Sequence, residues 1–159
     1  MSAYQPPYQY VIDSSALFDL KNQYPDRIFT GLWESFNEMC KERLVVSPRE
    51  VLREIKRGND DLLQWAQDYG DIFLEPCENE LSINQHLFEQ YPKEIIAKYS
   101  TRPWADPLVI ACAKHYRLTI IQQETNDRNQ YKIPSMAAKI DVKCIKLVEF
   151  FEDQNWQFP

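Results

Sequence analysis

The sequence predicts an α/β protein whose central sheet is doubly wound, mostly parallel and covered by helices on both faces. Short apolar runs of strand length alternate along the chain with helix-length segments, an order typical of parallel sheets. Right-handed crossovers would then place helices on both faces. The length of 159 residues, with 44% hydrophobic and 26% charged residues, is typical of an ordinary globular domain. We therefore expect one domain over residues 1–159, with its core at about residues 9–151.

The first predicted elements are a strand and two helices. Residues 8–12 predict a strand, because an apolar run stops abruptly at Asp13. The helix that follows is indicated by three apolar residues at helical spacing: Ala16, Leu17 and Leu20. Residues 27–43 predict a second helix from the same kind of spacing: Ile28, Leu32, Phe36 and Met39.

The next strand and helix are predicted to meet at one serine. Residues 43–47 predict a short strand, and residues 47–58 predict a helix. This helix carries an N-cap, a first-position proline, a capping-box glutamate and a C-terminal stop, in that order: Ser47, Pro48, Glu50 and Gly58.

The rest of the chain continues the alternation. Residues 59–70 predict a helix that ends near Gly70, and residues 71–76 predict a brief extended segment. Residues 79–99 predict a helix in two parts, broken near Pro92. The last predicted elements are a buried helix, two strands and a final helix, in chain order: residues 105–117, 118–123, 142–147 and 148–154.

Composition and charge exclude several classes of function. No apolar run approaches the length of about 20 residues that a membrane helix needs, so we expect no membrane association. Residues 1–10 lack the basic region and apolar core of a signal peptide, and we therefore expect a cytoplasmic protein. The net charge of −6 argues against bulk electrostatic coating of nucleic acid, but it leaves local contact open.

The counts of glycine, cysteine and histidine narrow the chemistry further. With only three glycines, the chain cannot build a glycine-rich phosphate loop. The cysteines form no C-x-x-C pair, which favours buried, reduced thiols over a zinc knuckle: Cys40, Cys77, Cys112 and Cys144. Both histidines are expected to be structural or surface residues: His86 and His115.

Acidic residues cluster at the predicted ends of the strands. Asp13 directly follows the first strand, and Glu124 follows the fourth, with Asp127 three residues later. Asp106 opens the buried helix, and Glu54 lies on the helix after the second strand. Because ligands of open parallel sheets bind outside the carboxyl ends of the strands, we expect these side chains to converge there.

Each carboxylate also has a local explanation. Asp13 and Asp106 are both suited to cap helices. Glu50 could complete a capping box, and Glu54 could pair with a basic neighbour at the surface. Taken singly, the local explanation is preferred for every residue except Asp13. Their shared placement at one end of the sheet is what favours a common site.

A common site of this kind needs a cation. Crowded carboxylates repel one another, which raises their pKa values. A divalent cation removes that cost, and hard oxygen ligands suit Mg²⁺ or Mn²⁺. Such an ion activates water and neutralises a phosphodiester during hydrolysis. The pattern therefore predicts a metal site built on Asp13.

Four segments, taken in order, resemble the motifs of the PIN-domain family of metal-dependent ribonucleases. "VIDSSALFDL" resembles the first motif, and "VVSPREVLREIKRG" is similar to the second, in which Glu54 takes the place of a helix-borne glutamate. "WADPLVIACA" resembles the third motif, in which an aspartate opens an alanine-rich buried helix. "LTIIQQETNDR" resembles the fourth, a strand followed by a polar pair and an acid.

The resemblance implies a PIN-like fold over about residues 9–151 and one or two metal ions held by four carboxylates: Asp13, Glu54, Asp106 and Glu124. The fourth acid of the family is usually an aspartate two positions after a hydroxyl residue. Glu124 instead follows two glutamines, so Asp127 stays an alternative ligand, and Glu50 competes with Glu54. Ser15 is expected to orient a ligand.

The activity that the resemblance implies is hydrolysis of RNA with Mg²⁺ or Mn²⁺, leaving a 5′-phosphate and a 3′-hydroxyl. Trp104 is a candidate for base stacking, with core packing as the alternative. Basic residues on the helix of Glu54 are candidates for contact with the RNA backbone, with a solvated helix face as the alternative: Arg49, Arg53, Lys56 and Arg57.

Many small bacterial PIN proteins, similar to the virulence-associated protein C type, are toxins that a cognate antitoxin silences. The resemblance therefore implies a toxin role and an antitoxin partner, and it leaves a homodimer open. A PIN scaffold that binds RNA or protein without catalysis is the alternative. Phosphatases of the haloacid-dehalogenase type and receiver domains also place an aspartate after strand one. However, their additional acidic residues are absent here.

Overall fold

Five parallel strands form one central sheet in the computed structural model, which describes residues 6–58, 60–124 and 129–158. All five coincide with predicted extended segments. The strands are β1 (Tyr10–Ile12), β2 (Val45–Pro48), β3 (Phe73–Leu74), β4 (Thr119–Ile121) and β5 (Cys144–Ile145). Their order across the sheet is β3-β2-β1-β4-β5.

Nine α-helices lie within the described residues. Three precede or follow β2: α1 (Ser14–Gln23), α2 (Thr30–Lys41) and α3 (Arg49–Gly58). Four lie in the long stretch around β3 and before β4: α4 (Asp60–Asp68), α5 (Glu78–Phe88), α6 (Lys93–Lys98) and α7 (Asp106–Tyr116). The last two flank β5: α8 (Ile133–Ala138) and α9 (Leu147–Asp153). A short 3₁₀ helix, Gly70–Ile72, leads into β3.

The strand order reverses beside β1. The chain builds outward from β1 through β2 to β3, and it then returns to place β4 on the other side of β1. Right-handed crossovers in these two directions put helices on opposite faces of the sheet. The predicted fold class, a doubly wound parallel α/β sheet consistent with a PIN-like fold, is therefore confirmed.

The register aligns the ends of β1 and β4. Ile12 pairs with Ile121, and the amide of Asp13 donates a 2.9 Å hydrogen bond to the carbonyl of Ile121. The residues that follow these two strands therefore leave the sheet side by side. This is the switch point at which open α/β sheets form a ligand crevice.

The core lies on both sides of the central strands. The strand residues Val11, Ile12 and Val46 are fully buried, as the lack of polar alternation in β1 and β2 requires. Helix α7 is buried over most of its length, because its small residues let it pack closely on the sheet. No helix among the described residues has both the length and the apolar character needed to cross a membrane.

The second predicted helix begins later than its apolar spacing indicated. Ile28 is 64% exposed and precedes α2, which starts at Thr30. The amides of Ile28 and Phe29 both donate to the carbonyl of Pro25, so this segment forms a turn. Leu32, the next apolar residue of the pattern, is buried as predicted.

Ser47 does not cap α3, which corrects the prediction for this serine. Ser47 and Pro48 are the last residues of β2, and the Ser47 hydroxyl donates a 2.7 Å hydrogen bond to the carbonyl of Ile12. The hydroxyl therefore bridges two neighbouring strands inside the core. Helix α8 is a further difference, because the sequence pattern predicts no element there.

Candidate metal site at the strand ends

Asp13 lies at the carboxyl end of β1 and is only 2% exposed. Its Oδ2 accepts hydrogen bonds from the amide of Ser15 at 3.4 Å and from the hydroxyl of Ser15 at 2.8 Å. Asp13 therefore does cap α1, as its local explanation held. Its Oδ1, however, is buried and accepts no hydrogen bond from a described residue. Buried polar atoms nearly always have a hydrogen-bond partner. The unpaired Oδ1 of Asp13 is therefore a candidate ligand atom for a cation.

Asp106 and Glu124 bring their carboxyl groups to Asp13. One carboxylate oxygen from each of the three residues lies within 4.8 Å of the others. Asp106 is the first residue of α7, and Ala105 takes the N-cap position that the sequence analysis gave to the aspartate. Glu124 follows β4 by three residues, and its Oε2 accepts a 3.0 Å hydrogen bond from the amide of Ile133 at the start of α8.

The protein environment destabilises the ionised form of each of the three carboxyl groups. Burial raises the pKa of Asp13. Burial also raises the pKa of Asp106 well above its ordinary value, and the charges of Asp13 and Glu124 raise it further. Burial followed by the charge of Asp13 raises the pKa of Glu124. The metal-free cluster therefore stores electrostatic repulsion that a bound cation would relieve.

Glu54 lies beside this cluster and is tied to the protein through both oxygens. Its Oε1 accepts a 3.0 Å hydrogen bond from the hydroxyl of Ser14, and its Oε2 accepts a 3.3 Å bond from the amide of Ala105. Burial and then the charge of Asp13 raise the pKa of Glu54 to about 8. Glu54 is thus an electrostatic neighbour of Asp13 but lies outside the three-carboxylate group of 4.8 Å. Its role as a metal ligand stays a prediction.

Ser15 and two glutamines connect the site to its surroundings. The Ser15 hydroxyl accepts a 3.0 Å hydrogen bond from the amide of Gln123 while it donates to Asp13. Gln122 is 3% exposed, and its side-chain oxygen accepts from the amide of Glu124 at 2.8 Å. Gln122 and Gln123 are the glutamines at which the sequence departs from the fourth PIN motif. Their hydrogen bonds therefore stabilise the turn that positions Glu124.

Two residues near the site could not be predicted from the sequence to lie there. Lys132 lowers the pKa values of Asp13, Asp106 and Glu124 through its charge. The hydroxyl of Tyr91 is buried and has no hydrogen-bond partner among the described residues. Burial and then the charge of Asp106 raise its pKa. Both residues reach the site through tertiary packing, which a single sequence does not report.

The alternative acidic residues have different outcomes. Asp127 lies outside the described residues, so the choice between Asp127 and Glu124 as a ligand stays open. Glu50 accepts a 2.8 Å hydrogen bond from Arg53 on the surface of α3. This pairing explains why Glu50 does not join the cluster.

The candidate RNA-contact residues are partly engaged with other parts of the protein. Trp104 stacks on Tyr99 with ring centroids 4.6 Å apart and packs edge-on against Tyr91, in line with the core-packing alternative. Arg49 pairs with Glu75 at 2.9 Å. Lys56 and Arg57 are exposed at the end of α3, and Arg53 pairs with Glu50, so RNA contact by this helix stays a prediction.

The donor set suits a metal ion. Three carboxylates from separate parts of the chain converge, and one of their oxygens is buried without a partner. Carboxylate oxygens are hard donors, and their mutual repulsion is relieved by positive charge. Asp13, Asp106 and Glu124 therefore form a group that could hold a metal ion.

Comparison with known protein families supports one assignment. The family model described as "Domain of unknown function (DUF4411)" matches residues 10–158, a span that includes the whole three-carboxylate group. No curated protein is found to match the chain. The family description states no activity.

Proposed function

The chain belongs to the DUF4411 family, and we propose that it is an endoribonuclease that hydrolyses RNA phosphodiester bonds with Mg²⁺ or Mn²⁺. The observation that carries this proposal is the convergence of Asp13, Asp106 and Glu124 within 4.8 Å at the switch point of a parallel sheet. The ordered resemblance of four segments to PIN-domain motifs supports the same reaction class.

Some of these residues would bind the ion, and others keep the binding side chains in position. Asp13 and Asp106 would hold the principal ion through Oδ1 of Asp13 and a carboxylate oxygen of Asp106. Glu124 would complete the site, and Ser15 keeps Asp13 oriented. When bound, the ion would supply positive charge to the phosphodiester and activate water for hydrolysis.

The surroundings of Asp106 contain groups that could contact part of an RNA strand. A cavity of about 130 Å³ opens beside this carboxylate, with lysine, tyrosine, tryptophan and asparagine side chains around it. Lys132 and Tyr131 line this cavity, and we infer that they would contact a phosphate and a base. Cationic and aromatic groups beside the carboxylates support the choice of a single-stranded RNA substrate.

The decisive experiment is a cleavage assay with purified protein on single-stranded RNA. We expect cleavage with Mn²⁺ or Mg²⁺, none with a chelator, and products with 5′-phosphate ends. Asp13→Asn and Asp106→Asn should each reduce the rate at least about 100-fold, because even residues that only orient metal ligands change activity by about 10- to 100-fold. Asp71→Asn is a matched control, since Asp71 lies in an exposed pair with Arg43.

The same variants decide between catalysis and the binding-module alternative. Calorimetric titration with Mn²⁺ should detect binding that Asp106→Asn removes. Binding without cleavage would support an inactive scaffold, and the absence of both would refute a metal site at these residues.

The toxin role and the antitoxin partner are proposals supported by the resemblance alone. Expression in a bacterial host should arrest growth if the protein is a toxin, and Asp13→Asn should not. A small protein encoded beside the chain that restores growth would identify the antitoxin. A host that grows normally while expressing the active nuclease would argue instead for a role in RNA processing. Light scattering of the purified chain distinguishes a monomer from a homodimer.

A further inference from the structure

A second group of metal-ligating side chains lies where α5 packs against α7. Cys77 directly precedes α5, Glu80 is in its first turn, and His115 is in the last turn of α7. One ligand atom from each of these residues lies within 4.8 Å of the others. The group brings together residues of α5 and α7, which are distant in sequence. Ligands of a metal site often come from separate segments of a chain in this way.

Glu80, which takes part in capping helix α5, is almost completely buried. The residue is 1% exposed, and among the described residues its carboxylate accepts one hydrogen bond, at 3.3 Å from the amide of Cys77 to Oε1. This bond is part of a capping box at the start of α5. A buried carboxylate with one weak hydrogen bond calls for a cationic partner.

The imidazole is held in place at this group. The side-chain amide of Asn79 lies 2.8 Å from Nδ1 of His115, and the ring of Tyr116 packs edge-on against the imidazole. Metal binding through Nε2 requires Nδ1 to carry the proton and to donate it, so the side-chain oxygen of Asn79 would turn to face Nδ1 in the metal-bound form. His115 also borders an open cavity of about 700 Å³, which gives solvent access to the imidazole.

We propose that Cys77, Glu80 and His115 bind Zn²⁺, with a water molecule in the fourth position. Thiolate and imidazole donors favour zinc over Mg²⁺ or Mn²⁺, and three protein ligands plus water are an established zinc arrangement. Metal–ligand distances of about 2.0 to 2.3 Å put tetrahedral donor atoms about 3.5 Å apart. The observed limit of 4.8 Å therefore requires only small side-chain rotations.

This site is separate from the proposed nuclease centre. Asp106 and His115 lie on the same helix, nine residues apart, which corresponds to a rise of about 13 Å. The donor chemistry also differs, since the first group has only carboxylates and the second contains sulfur and nitrogen. The zinc ion would fasten the start of α5 to the end of α7 and would not depend on RNA cleavage.

Cobalt titration of the full chain tests the proposal. Co²⁺ substitutes for zinc, and a thiolate ligand gives a sulfur-to-cobalt charge-transfer band in the near ultraviolet. We expect this band at one equivalent, its loss when zinc is added, and its absence in Cys77→Ser. Glu80→Gln and His115→Gln should weaken zinc binding about 100-fold or more.

Controls separate this result from the nuclease proposal and from misfolding. Cys40→Ser removes a buried thiol on α2 and should keep the band, and so should Asp13→Asn. Circular dichroism identifies any variant that fails to fold, in which case His115→Gln replaces Cys77→Ser as the deciding variant. A wild-type chain without the band, or a folded His115→Gln variant with unchanged zinc affinity, would overturn the proposal.

Discussion

The hydroxyl of Ser15 donates a 2.8 Å hydrogen bond to Oδ2 of Asp13. The same hydroxyl accepts from the amide of Gln123, so one side chain links the end of β1 to the turn after β4. This link orients the Asp13 carboxylate so that Oδ2 accepts hydrogen bonds and Oδ1 accepts none from the described residues. The orientation of the central carboxylate is thus built into the first turn of α1, before any ion binds.

Ser15→Ala is expected to reduce metal-dependent cleavage about tenfold, because a hydrogen bond to a charged group contributes about 1.5 kcal/mol. Mn²⁺ affinity should fall in parallel, since Asp13 would lose its fixed orientation. Ser15→Thr keeps a hydroxyl and should retain most of the activity. Equal rates for the alanine variant and the wild type would contradict a positioning role.

The metal-free protein should lose stability as the pH rises from about 4.5 to about 8. Glu54 releases its proton near 4.5 in the unfolded chain but near 8 in the folded one. The folded state therefore binds more protons within this window, and the free energy of unfolding falls as pH increases. Urea unfolding in the presence of a chelator, repeated across this range, measures the slope.

Glu54→Gln is the control for that slope, since it removes one of the titrating groups and should make the slope shallower. Asp71→Asn, a change in an exposed pair with Arg43, should leave the slope as in the wild type. A wild-type stability that rises through this pH window would show that the carboxyl groups are ionised without penalty.

Asp13→Asn is expected to stabilise the metal-free protein and to abolish its stabilisation by Mn²⁺. The substitution removes a buried charge that raises the pKa values of Glu54, Asp106 and Glu124. Wild-type protein should gain about 2.7 kcal/mol at a Mn²⁺ concentration of 100 times Kd. Thermal unfolding with chelator and with Mn²⁺ gives both values. A destabilised metal-free variant would argue that Asp13 is only a helix cap.

Ser47→Ala should destabilise the protein by about 1 to 3 kcal/mol, because it leaves the carbonyl of Ile12 without its 2.7 Å partner in the core. Mn²⁺ affinity should change little, since the metal-facing oxygen of Asp13 is untouched. Chemical denaturation measures the loss. Ser82→Ala, at an exposed position of α5, provides the comparison, and similar effects of the two substitutions would refute the bridging role of Ser47.

The sheet could be predicted because its strands are short apolar runs that end abruptly. The run ending at Ile12 and the run ending at Ile121 fix β1 and β4, and parallel topology then brings the next residues together. The convergence of Asp13, Asp106 and Glu124 follows from this rule rather than from any single motif. The metal, the RNA substrate and the reaction remain predictions.

The features that could not be predicted depend on contacts between distant segments. Ser47 fits an N-cap by local pattern, yet the carbonyl of Ile12, which lies 35 residues earlier, competes for its hydroxyl. Lys132 and Tyr91 approach the carboxylates only after the chain has folded. The sequence predicts only a reduced thiol at Cys77 and a structural or surface residue at His115, because sequence spacing does not reveal that α5 and α7 pack together.

Helix α7 carries Asp106 in its first turn and His115 in its last. An α-helix advances 100° per residue, so deleting one residue between them would swing everything downstream by more than a quarter turn. Such a deletion would leave one end in place and point the other away from its partners. The length of this helix should accordingly tolerate neither insertion nor deletion, even where its individual small side chains can be exchanged.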